Sequence, residues 1–419
     1  MRSHYKKLGP YIQEVNIRNC EASEENLLGV STQKIFIKSR SNTIGTDFTT
    51  YKIIKRNQFT YIADTSRRGD KIAIALLTSQ DEAMVSQAYT VFEITDHKEL
   101  EPEYLMMWFR RPEFDRYARF KSHGSAREIF DWNDMCDIEL PIPSIEKQWE
   151  IVKEYHTIVN RIELSEKINK KLEETAQALY KQWFVDFEFH NENGKPYKSN
   201  GGEMIWCEEL KQYVPNGWTA SPISSFCDIT SSKRIFEDEY VDSGVPFYRG
   251  KEISLKKSGT PINDPIYISE HRYIELASRY DIPKPGDILM TAVGTIGVSY
   301  LVEDAKFYFK DGNVIWFKNF STDGCNYFLY DFMQSGHFVS LINEITIGST
   351  QSAITITTFG QQKIIRPPFN IIKEYKSLSY ILHLNLQISK EIIIGLHSLK
   401  DVLYSKMSKP ELLETEQPA

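Results

Sequence analysis

An internal repeat constrains the fold of this 419-residue chain more than any other feature of its sequence. The Gly-Ser pairs that begin at Gly124 and Gly348 lie 224 positions apart, and the same offset relates Phe114 to Phe338. Further along each half the offset settles at 220, where Ile-Val-Lys-Glu-Tyr at 151–155 matches Ile-Ile-Lys-Glu-Tyr at 371–375. The repeat predicts two similar modules related by an approximate two-fold, and such a molecule suits a pseudo-symmetric partner such as duplex DNA.

Each half also ends in a long helical pattern. Apolar or small side chains recur at steps of three and four between residues 145 and 184 and again between 371 and 407. Forty residues of helix span about 60 Å at 1.5 Å per residue. Helices with so narrow a stripe are seldom stable alone, so we expect an antiparallel pair. The side chains expected to pack in the pair are Tyr155, Ile162, Leu172, Leu179, Trp183, Tyr375, Leu382, Ile392, Leu399 and Leu403.

The rest of each half mixes strand and helix patterns and predicts an α+β module. Residues 71–77 and 89–94 are strand-like in the first half, and Pro102, between two glutamates, begins a helix through Phe109. Strands are likewise predicted at 287–291, 297–302 and 313–317 in the second half. The predicted organisation is a first module at 1–144, a long helix at 145–189, a surface linker at 190–216, a second module at 217–369, a second long helix at 370–408 and a tail at 409–419.

Composition excludes several classes of protein. No run of eighteen apolar residues exists and no apolar region follows the basic N-terminus, so neither a membrane span nor a signal peptide is predicted. The five cysteines are scattered and never spaced Cys-x-x-Cys, which favours a reducing cytoplasm and argues against a zinc site. The net charge of −7 is unfavourable for DNA binding, because affinity for a duplex depends on cations that displace counterions. A protein-binding scaffold with two repeated modules is therefore an alternative.

Three clusters combine the residue types that contact bases and phosphates. The first is a basic glycine turn whose counterpart in the second half carries hydroxyl groups, and the second surrounds the repeated Gly-Ser pair. The third interleaves aromatic residues with cations, and each cluster is also compatible with an ordinary surface loop or turn. The candidate DNA-contacting residues are Arg67, Arg68, Lys71, Thr291 and Thr295 in the first, Lys121, His123, Ser125, Arg127, Ser349, Thr350 and Gln351 in the second, and Lys233, Arg234, Tyr248, Arg249 and Lys251 in the third.

Motifs for catalysis are missing from the sequence. A methyltransferase would need a loop of the Asn-Pro-Pro-Tyr type beside a cofactor glycine motif, and the nearest string, at 264–267, is Asp-Pro-Ile-Tyr. Residues 244–251 have the wrong spacing for a phosphate loop, and none of the nine histidines lies in a His-Glu-x-x-His helix. No Gly-x-Ser-x-Gly nucleophile motif occurs either. A self-contained DNA methyltransferase is thus a third interpretation, and no catalytic or metal-binding residue is predicted.

The order of the motifs resembles the specificity subunit of type I restriction-modification systems over essentially the whole chain. The second copy departs from the first at its helix start, where it lacks the glutamate and glutamine found at 146 and 148, and the first copy lacks the Gly-Asp turn. The symmetry of the two ends toward partner subunits therefore stays open. The stretches that carry the resemblance are Leu-Pro-Ile-Pro-Ser-Ile-Glu-Lys-Gln-Trp-Glu-Ile-Val at 140–152, Leu-Glu-Glu-Thr-Ala-Gln-Ala-Leu-Tyr-Lys-Gln-Trp-Phe-Val-Asp-Phe at 172–187, Val-Pro-Asn-Gly-Trp at 214–218, Pro-Gly-Asp-Ile-Leu at 285–289, Gly-Thr-Ile-Gly at 294–297 and Gly-Ser-Thr-Gln at 348–351.

The resemblance implies two target recognition domains, each of which binds one half of a split double-stranded DNA sequence. The two long helices would set the length of the non-specific spacer between the halves. Partner subunits would supply the chemistry: two modification subunits that hold S-adenosylmethionine, and restriction subunits that use ATP and magnesium to cleave. This chain would then select the DNA site, hold no cofactor and perform no reaction.

Overall fold

The computed structural model describes residues 5–20, 26–39, 45–65, 71–122, 128–303, 306–346 and 354–408. The chain divides into two compact units, of which unit 1 comprises residues 1–161 and 396–419 and unit 2 comprises residues 162–395. Each unit combines one α+β module with segments of both long helices.

Unit 1 contains the module of the first half. Its helices are α1 (Pro102–Phe109), α2 (Pro112–Lys121) and α3 (Trp132–Cys136). Its strands are β1 (Tyr5–Lys7), β2 (Ile12–Val15), β3 (Ile17–Arg18), β4 (Leu27–Val30), β5 (Phe36–Lys38), β6 (Lys52–Lys55), β7 (Phe59–Tyr61), β8 (Ile74–Leu76), β9 (Glu82–Val85), β10 (Thr90–Ile94) and β11 (Glu139–Pro141). They form a four-stranded antiparallel sheet in the order β2-β10-β7-β8, a five-stranded sheet in the order β3-β6-β9-β4-β5 and the pair β1-β11.

Aromatic packing holds α1 against the four-stranded sheet of unit 1. Phe59 and Phe92 lie opposite each other on β7 and β10, and their rings stack at 4.9 Å. Phe109 at the end of α1 meets both rings edge-on, and all three side chains are fully buried. Burial of rings of this size is the main stabilising contribution to such a core. Helix α1 begins at Pro102 as predicted, because proline fits the first helical position.

Unit 2 contains the module of the second half. Its helices are α5 (Gly250–Ser258), α6 (Glu270–Arg279), α7 (Cys325–Phe332), α8 (Gly336–Ile345) and α9 (Ile356–Gly360). Its strands are β12 (Met204–Cys207), β13 (Gln212–Pro215), β14 (Thr219–Pro222), β15 (Asp228–Thr230), β16 (Tyr240–Val241), β17 (Val245–Tyr248), β18 (Ile266–Ile268), β19 (Ile288–Thr291), β20 (Ser299–Leu301), β21 (Tyr308–Phe309), β22 (Val314–Lys318) and β23 (Lys363–Arg366). The sheets have the orders β15-β22-β19-β20 and β16-β18-β17-β21, with the pairs β12-β13 and β14-β23.

The predicted repeat is confirmed at the level of strand topology. Strands β2, β10, β7 and β8 of unit 1 have the same order as β15, β22, β19 and β20 of unit 2. The pair β1-β11 likewise corresponds to β14-β23, and helices α1 to α3 correspond to α7 to α9. Within the described residues the modules differ in their second sheet, which has five strands in unit 1 and four in unit 2, and in helices α5 and α6, which are specific to unit 2. The two modules therefore share a common frame, which consists of the four-stranded sheet, one strand pair and three helices, and they differ in the rest.

The two long helices are α4 (Ile145–Phe184) and α10 (Phe369–Lys406). Within unit 1 the start of α4 lies beside the end of α10, where the rings of Tyr155 and Tyr404 are 5.9 Å apart. Within unit 2 the end of α4 lies beside the start of α10, where Trp183 and Tyr375 are 5.7 Å apart. Both contacts are those of an antiparallel pair, as predicted.

The repeated tyrosine of the long helices bonds to the equivalent helix of each module. In unit 1 the hydroxyl of Tyr155 accepts a hydrogen bond of 3.0 Å from Arg110, at the end of α1. In unit 2 the hydroxyl of Tyr375 donates one of 2.6 Å to Asp331, in α7. Each module is thereby attached to its long helix near the end of the equivalent helix, but through side chains of opposite charge at positions that do not correspond in the repeat.

Part of the predicted helix stripe is wrong. Ile392 and Leu399, expected to pack between the helices, are 40% and 55% exposed, whereas Ile393 and Leu396 are buried. Residues 392–394 are all isoleucine, so the sequence alone does not determine which of them points inward. Because a helix has 3.6 residues per turn, positions chosen by fixed steps of three and four rotate gradually away from the buried face over a helix of this length. Of the other residues of this set, Tyr155, Ile162, Trp183, Tyr375 and Leu403 are buried and Leu172, Leu179 and Leu382 are half-buried.

The segment predicted as a surface linker contains regular structure. Strands β12 and β13 pair in it as an antiparallel hairpin. Just before and after the segment, Phe189 and Trp218 stack at 4.9 Å. These contacts make the linker part of unit 2 and not a free connection.

Candidate nucleic-acid interface

In unit 1, hydrogen bonds connect the residues that flank the first and the second predicted cluster. The hydroxyl of Thr65 donates to the hydroxyl of Ser122 at 2.9 Å, and the amide of Thr65 donates to the carbonyl of Glu128, also at 2.9 Å. Thr65 lies four residues after the end of β7, and Ser122 directly follows α2. Of the predicted contacts here, Lys71 is exposed and Lys121 is half-buried at the end of α2, while Arg67, Arg68, His123, Ser125 and Arg127 lie outside the described residues.

The equivalent loops are joined in unit 2. The loop between β19 and β20 is tied to the segment that follows α8, because the amide of Ile354 donates to the carbonyl of Ala292 at 3.2 Å. Gly297, with a φ of +84°, lies against α8, so closely that an added Cβ would be 3.3 Å from the ring of Phe338. Thr295 is exposed in this loop, whereas Ser349, Thr350 and Gln351 lie outside the described residues.

Thr291 is corrected from a DNA contact to a turn residue. Its side chain is buried, and its hydroxyl accepts from the amide of Val298 at 3.0 Å and donates to the carbonyl of Thr295. These bonds close the turn between β19 and β20. A hydroxyl that is buried and already bonded on both sides is not available to a base edge.

A basic cleft of about 580 Å³ opens beside the same sheet of unit 2. Ser231 anchors one wall by donating to the carbonyl of Val314 at 3.1 Å, and the amide of Lys233 donates to the hydroxyl of Tyr308 at 2.9 Å. The cleft is lined by Thr230, Ser231, Ser232, Lys233, Ala277, Ser278, Arg279, Tyr280, Asp281, Tyr308, Trp316 and Lys318.

The cations of this cleft lie against aromatic rings. The ammonium of Lys233 is 4.8 Å from the ring of Tyr280, and that of Lys318 is 4.5 Å from the ring of Trp316. Lys318 also pairs with Asp281, and its hydrogen bond holds the pKa of that carboxyl below the usual range. The side chain of Arg279 is 67% exposed. Cations, hydroxyl groups and aromatic faces in one cleft are the groups that bind phosphates and stacked bases.

Sequence reasoning missed half of this cleft. Arg279 and Tyr280 come from the end of α6, and Lys318 comes from the end of β22, far along the chain from Lys233. Only the fold brings them together. The sequence signal for them is weak, because a single arginine next to a tyrosine at the end of a helix is common on any protein surface.

The other members of the third cluster separate into different roles. Tyr248 is 8% exposed and stacks on Phe307 at 4.8 Å, so it is corrected to a core residue. Arg249 makes two hydrogen bonds, of 3.1 and 2.9 Å, to the carboxylate of Glu252 at the start of α5. Burial raises the pKa of Glu252, but the bonds from Arg249 outweigh it and hold that pKa below its usual value. Lys251 is exposed, and Arg234 is paired with Asp311 at 2.9 Å.

The described ranges contain no set of three or more histidine, cysteine or acidic side chains placed to bind a metal ion. Within the same ranges no helix is both long enough and apolar enough to cross a membrane.

Comparison with known proteins gives a family for both halves of the chain. The family described as type I restriction modification DNA specificity domain matches residues 14–174 and 215–398. The MjaIX specificity subunit of a type I restriction enzyme from Methanocaldococcus jannaschii is 25% identical over 316 residues, which cover 74% of this chain and 69% of that protein. The HindI specificity subunit of a type I restriction enzyme from Haemophilus influenzae is 30% identical over 139 residues, 33% of this chain and 30% of that one.

A solved structure shows the same fold. The S subunit of a type I restriction-modification system from M. genitalium aligns with a TM-score of 0.59 at 13% sequence identity, over 96% of this chain and 95% of that one. The family match spans both repeated modules and most of both long helices. The chain therefore belongs to the type I restriction-modification DNA specificity family.

Proposed function

We propose that this chain selects the DNA site of a type I restriction-modification complex, and that its two modules bind the two halves of a bipartite target. The observation that carries the proposal is the shared frame of the modules. In unit 1 the segment after β7 is hydrogen-bonded to the segment after α2, and in unit 2 the segment after β19 is hydrogen-bonded to the segment after α8. Two equivalent loop pairs on one chain suit two half-sites on one duplex.

The complex is completed by other subunits in this proposal. Two modification subunits hold S-adenosylmethionine and methylate the DNA, and restriction subunits use ATP and magnesium to translocate and cleave it. The chain itself holds no cofactor and catalyses no step. Its overall negative charge is compatible with DNA binding because cations concentrate locally, as in the cleft around Lys233 and Arg279.

The bipartite target is tested by methylation mapping. In a host that carries the system, modified sites are expected to share a motif of two short sequences separated by a spacer of fixed length and free sequence. Deletion of this gene alone is expected to remove methylation at all of these sites, since the modification subunits lose their site selector. A contiguous motif, or methylation that survives the deletion, would contradict the proposal. Binding that does not weaken with ionic strength would instead favour a protein scaffold.

The long helices are expected to set the spacer. Matched insertions of four residues in α4, near Ala176, and in α10 lengthen the pair by about 6 Å, which corresponds to roughly two base pairs at 3.4 Å per step. Methylation mapping is expected to show the same two half-sequences with a spacer longer by that amount. Four residues inserted between Gly201 and Gly202, outside both helices, serve as the control and are expected to leave the spacer unchanged. If both variants select the original spacer, the helices do not act as a ruler.

A further inference from the structure

A second cavity of unit 2, of about 630 Å³, lies apart from the basic cleft. Side chains of α4, α5, α7 and α10 line it, among them Glu173, Lys257, Tyr330 and Lys390. The volume lies within the range of pockets that hold metabolites and other small ligands. No member of the predicted DNA-binding set lines it, so the proposed DNA recognition leaves this cavity without a role.

Two lysines from different elements meet in this cavity. Lys390 of α10 is half-buried, and its ammonium donates a hydrogen bond of 2.7 Å to the backbone carbonyl of Lys257, in the last turn of α5. The ammonium of Lys257 is 3.3 Å from the carboxylate of Glu173. The Lys390 side chain also packs against Gly259, just after α5, where an added Cβ would come within 2.9 Å of its Cγ. The amine of Lys390 is thus held at a defined place in the cavity wall.

The surroundings shift Lys390 toward its uncharged form. Burial, with a further contribution from the charge of Lys257, lowers the pKa of Lys390 to about 8. Glu173 and Glu303 oppose this change, and Lys256 adds to it. At pH 7.5 an amine of that pKa is about one-quarter neutral, whereas an ordinary lysine of pKa about 10.4 is roughly 0.1% neutral. Neutral amines are the nucleophiles in acyl transfer.

We propose that Lys390 is a modification site, and that small acyl phosphates entering the cavity acylate its amine. The nitrogen lone pair attacks the carbonyl carbon of the acyl phosphate and forms the new C–N bond. The bond between that carbon and the phosphate oxygen breaks, and inorganic phosphate leaves with the bonding electrons. The nitrogen gives one proton to solvent, so the product is a neutral amide.

The cavity selects the class of acyl donor. Its size admits a small molecule but not the domain of a transferase, and the half-buried Lys390 lines it. The ammonium of Lys257, which also pairs with Glu173, provides a positive charge for the phosphate group despite the carboxylates of the lining, and this favours acyl phosphates over neutral acyl donors. Acylation removes a cation from the C-terminal end of α5, where it interacts favourably with the helix dipole. The modification would therefore weaken the attachment of α5 to α10 and connect acyl metabolism with the second module.

The test uses the full chain and acetyl phosphate at pH 7.5, with acetylation at each lysine followed over time by peptide mass spectrometry. Lys390 is expected to react at least about ten-fold faster than Lys373, an exposed lysine of the same helix. The rate at Lys390 is expected to rise with pH to a midpoint near 8 and to fall when inorganic phosphate competes. The variant Lys390→Arg is expected to lose only that acetylated peptide.

A second variant distinguishes the effect of the cavity on the reaction of Lys390 from the general reactivity of a lysine amine. Lys257→Met removes the neighbouring cation, so the midpoint at Lys390 is expected to move upward and the competition by phosphate to disappear. Equal rates at Lys390 and Lys373 in the wild-type chain would overturn the proposal, whatever the fold of the variants. If inorganic phosphate does not slow the acetylation of Lys390, the proposal that the cavity prefers acyl phosphates is wrong.

Discussion

Replacing Asp331 with alanine is expected to cost the second unit about 3–5 kcal/mol of its free energy of unfolding, the range found when one partner of a buried charged network is removed. The Asp331 side chain is 0% exposed. Its carboxylate accepts hydrogen bonds of 2.6 Å from the hydroxyls of Tyr375 and Ser379 and bonds to His383 Nε2 at 2.7 Å. Alanine would leave three polar groups without their partner in the contact between α7 and α10.

Hydrogen exchange measured across the chain is the suitable readout, because global melting does not separate the two units. Protection in α7 and in the first turns of α10 is expected to collapse in Asp331→Ala, while that of the four-stranded sheet of unit 1 stays unchanged. Ser379→Ala is the matched control, since it removes one donor but keeps the carboxylate bound to Tyr375, and it is expected to cost about 1 kcal/mol. Protection in Asp331→Ala equal to that of the Ser379 variant would refute this account of the network.

The sequence was sufficient to predict the architecture because the signals for it are periodic or repeated. The offset of 224 between Phe114 and Phe338 places both at equivalent positions of α2 and α8, and both are buried. The long helices are equally visible, since their apolar stripes run over some forty residues each. Asp331 shows what such signals miss. It is the one charged residue of α7, and nothing in the local sequence indicates that three side chains of another helix bond to it.

The candidate interface depends on contacts that no local pattern encodes. Thr65 and Ser122 are 57 positions apart, and their hydrogen bond joins two loops that the sequence offers as separate clusters. Tyr248 and Arg249 show the converse error. An aromatic residue beside a cation resembles a nucleic-acid contact, but both faces of β17 are covered, and Tyr248 is buried in one core cluster while Phe247 is buried in another. The guanidinium of Arg249 is bonded to the carboxylate of Glu252. Residue type gives the chemistry of a site, whereas the fold decides which side chains are available for it.

Charge reversal in the basic cleft is expected to weaken DNA binding by the assembled methyltransferase by about 100-fold or more at low salt. The double variant Lys233→Glu and Arg279→Glu replaces two exposed cations of the cleft with acids while leaving the Lys318–Asp281 pair in place. If each cation neutralises one phosphate, the slope of log K against log salt is expected to become shallower by roughly 2, at about 0.9 per contact. Fluorescence anisotropy with a duplex that carries the methylated motif measures both quantities.

The matched control reverses Lys195 and Lys198, two exposed lysines of the same unit outside the cleft, so that the net charge changes equally. Equal affinities and equal salt slopes for the two double variants would exclude the cleft from the interface and leave only a general charge effect. The methylated motif is expected to keep its sequence in the cleft variant, because phosphate contacts position a protein on DNA without selecting bases. A change of bases in one half of the motif would show instead that Lys233 or Arg279 reaches a base edge, and would thereby assign that half to the second module.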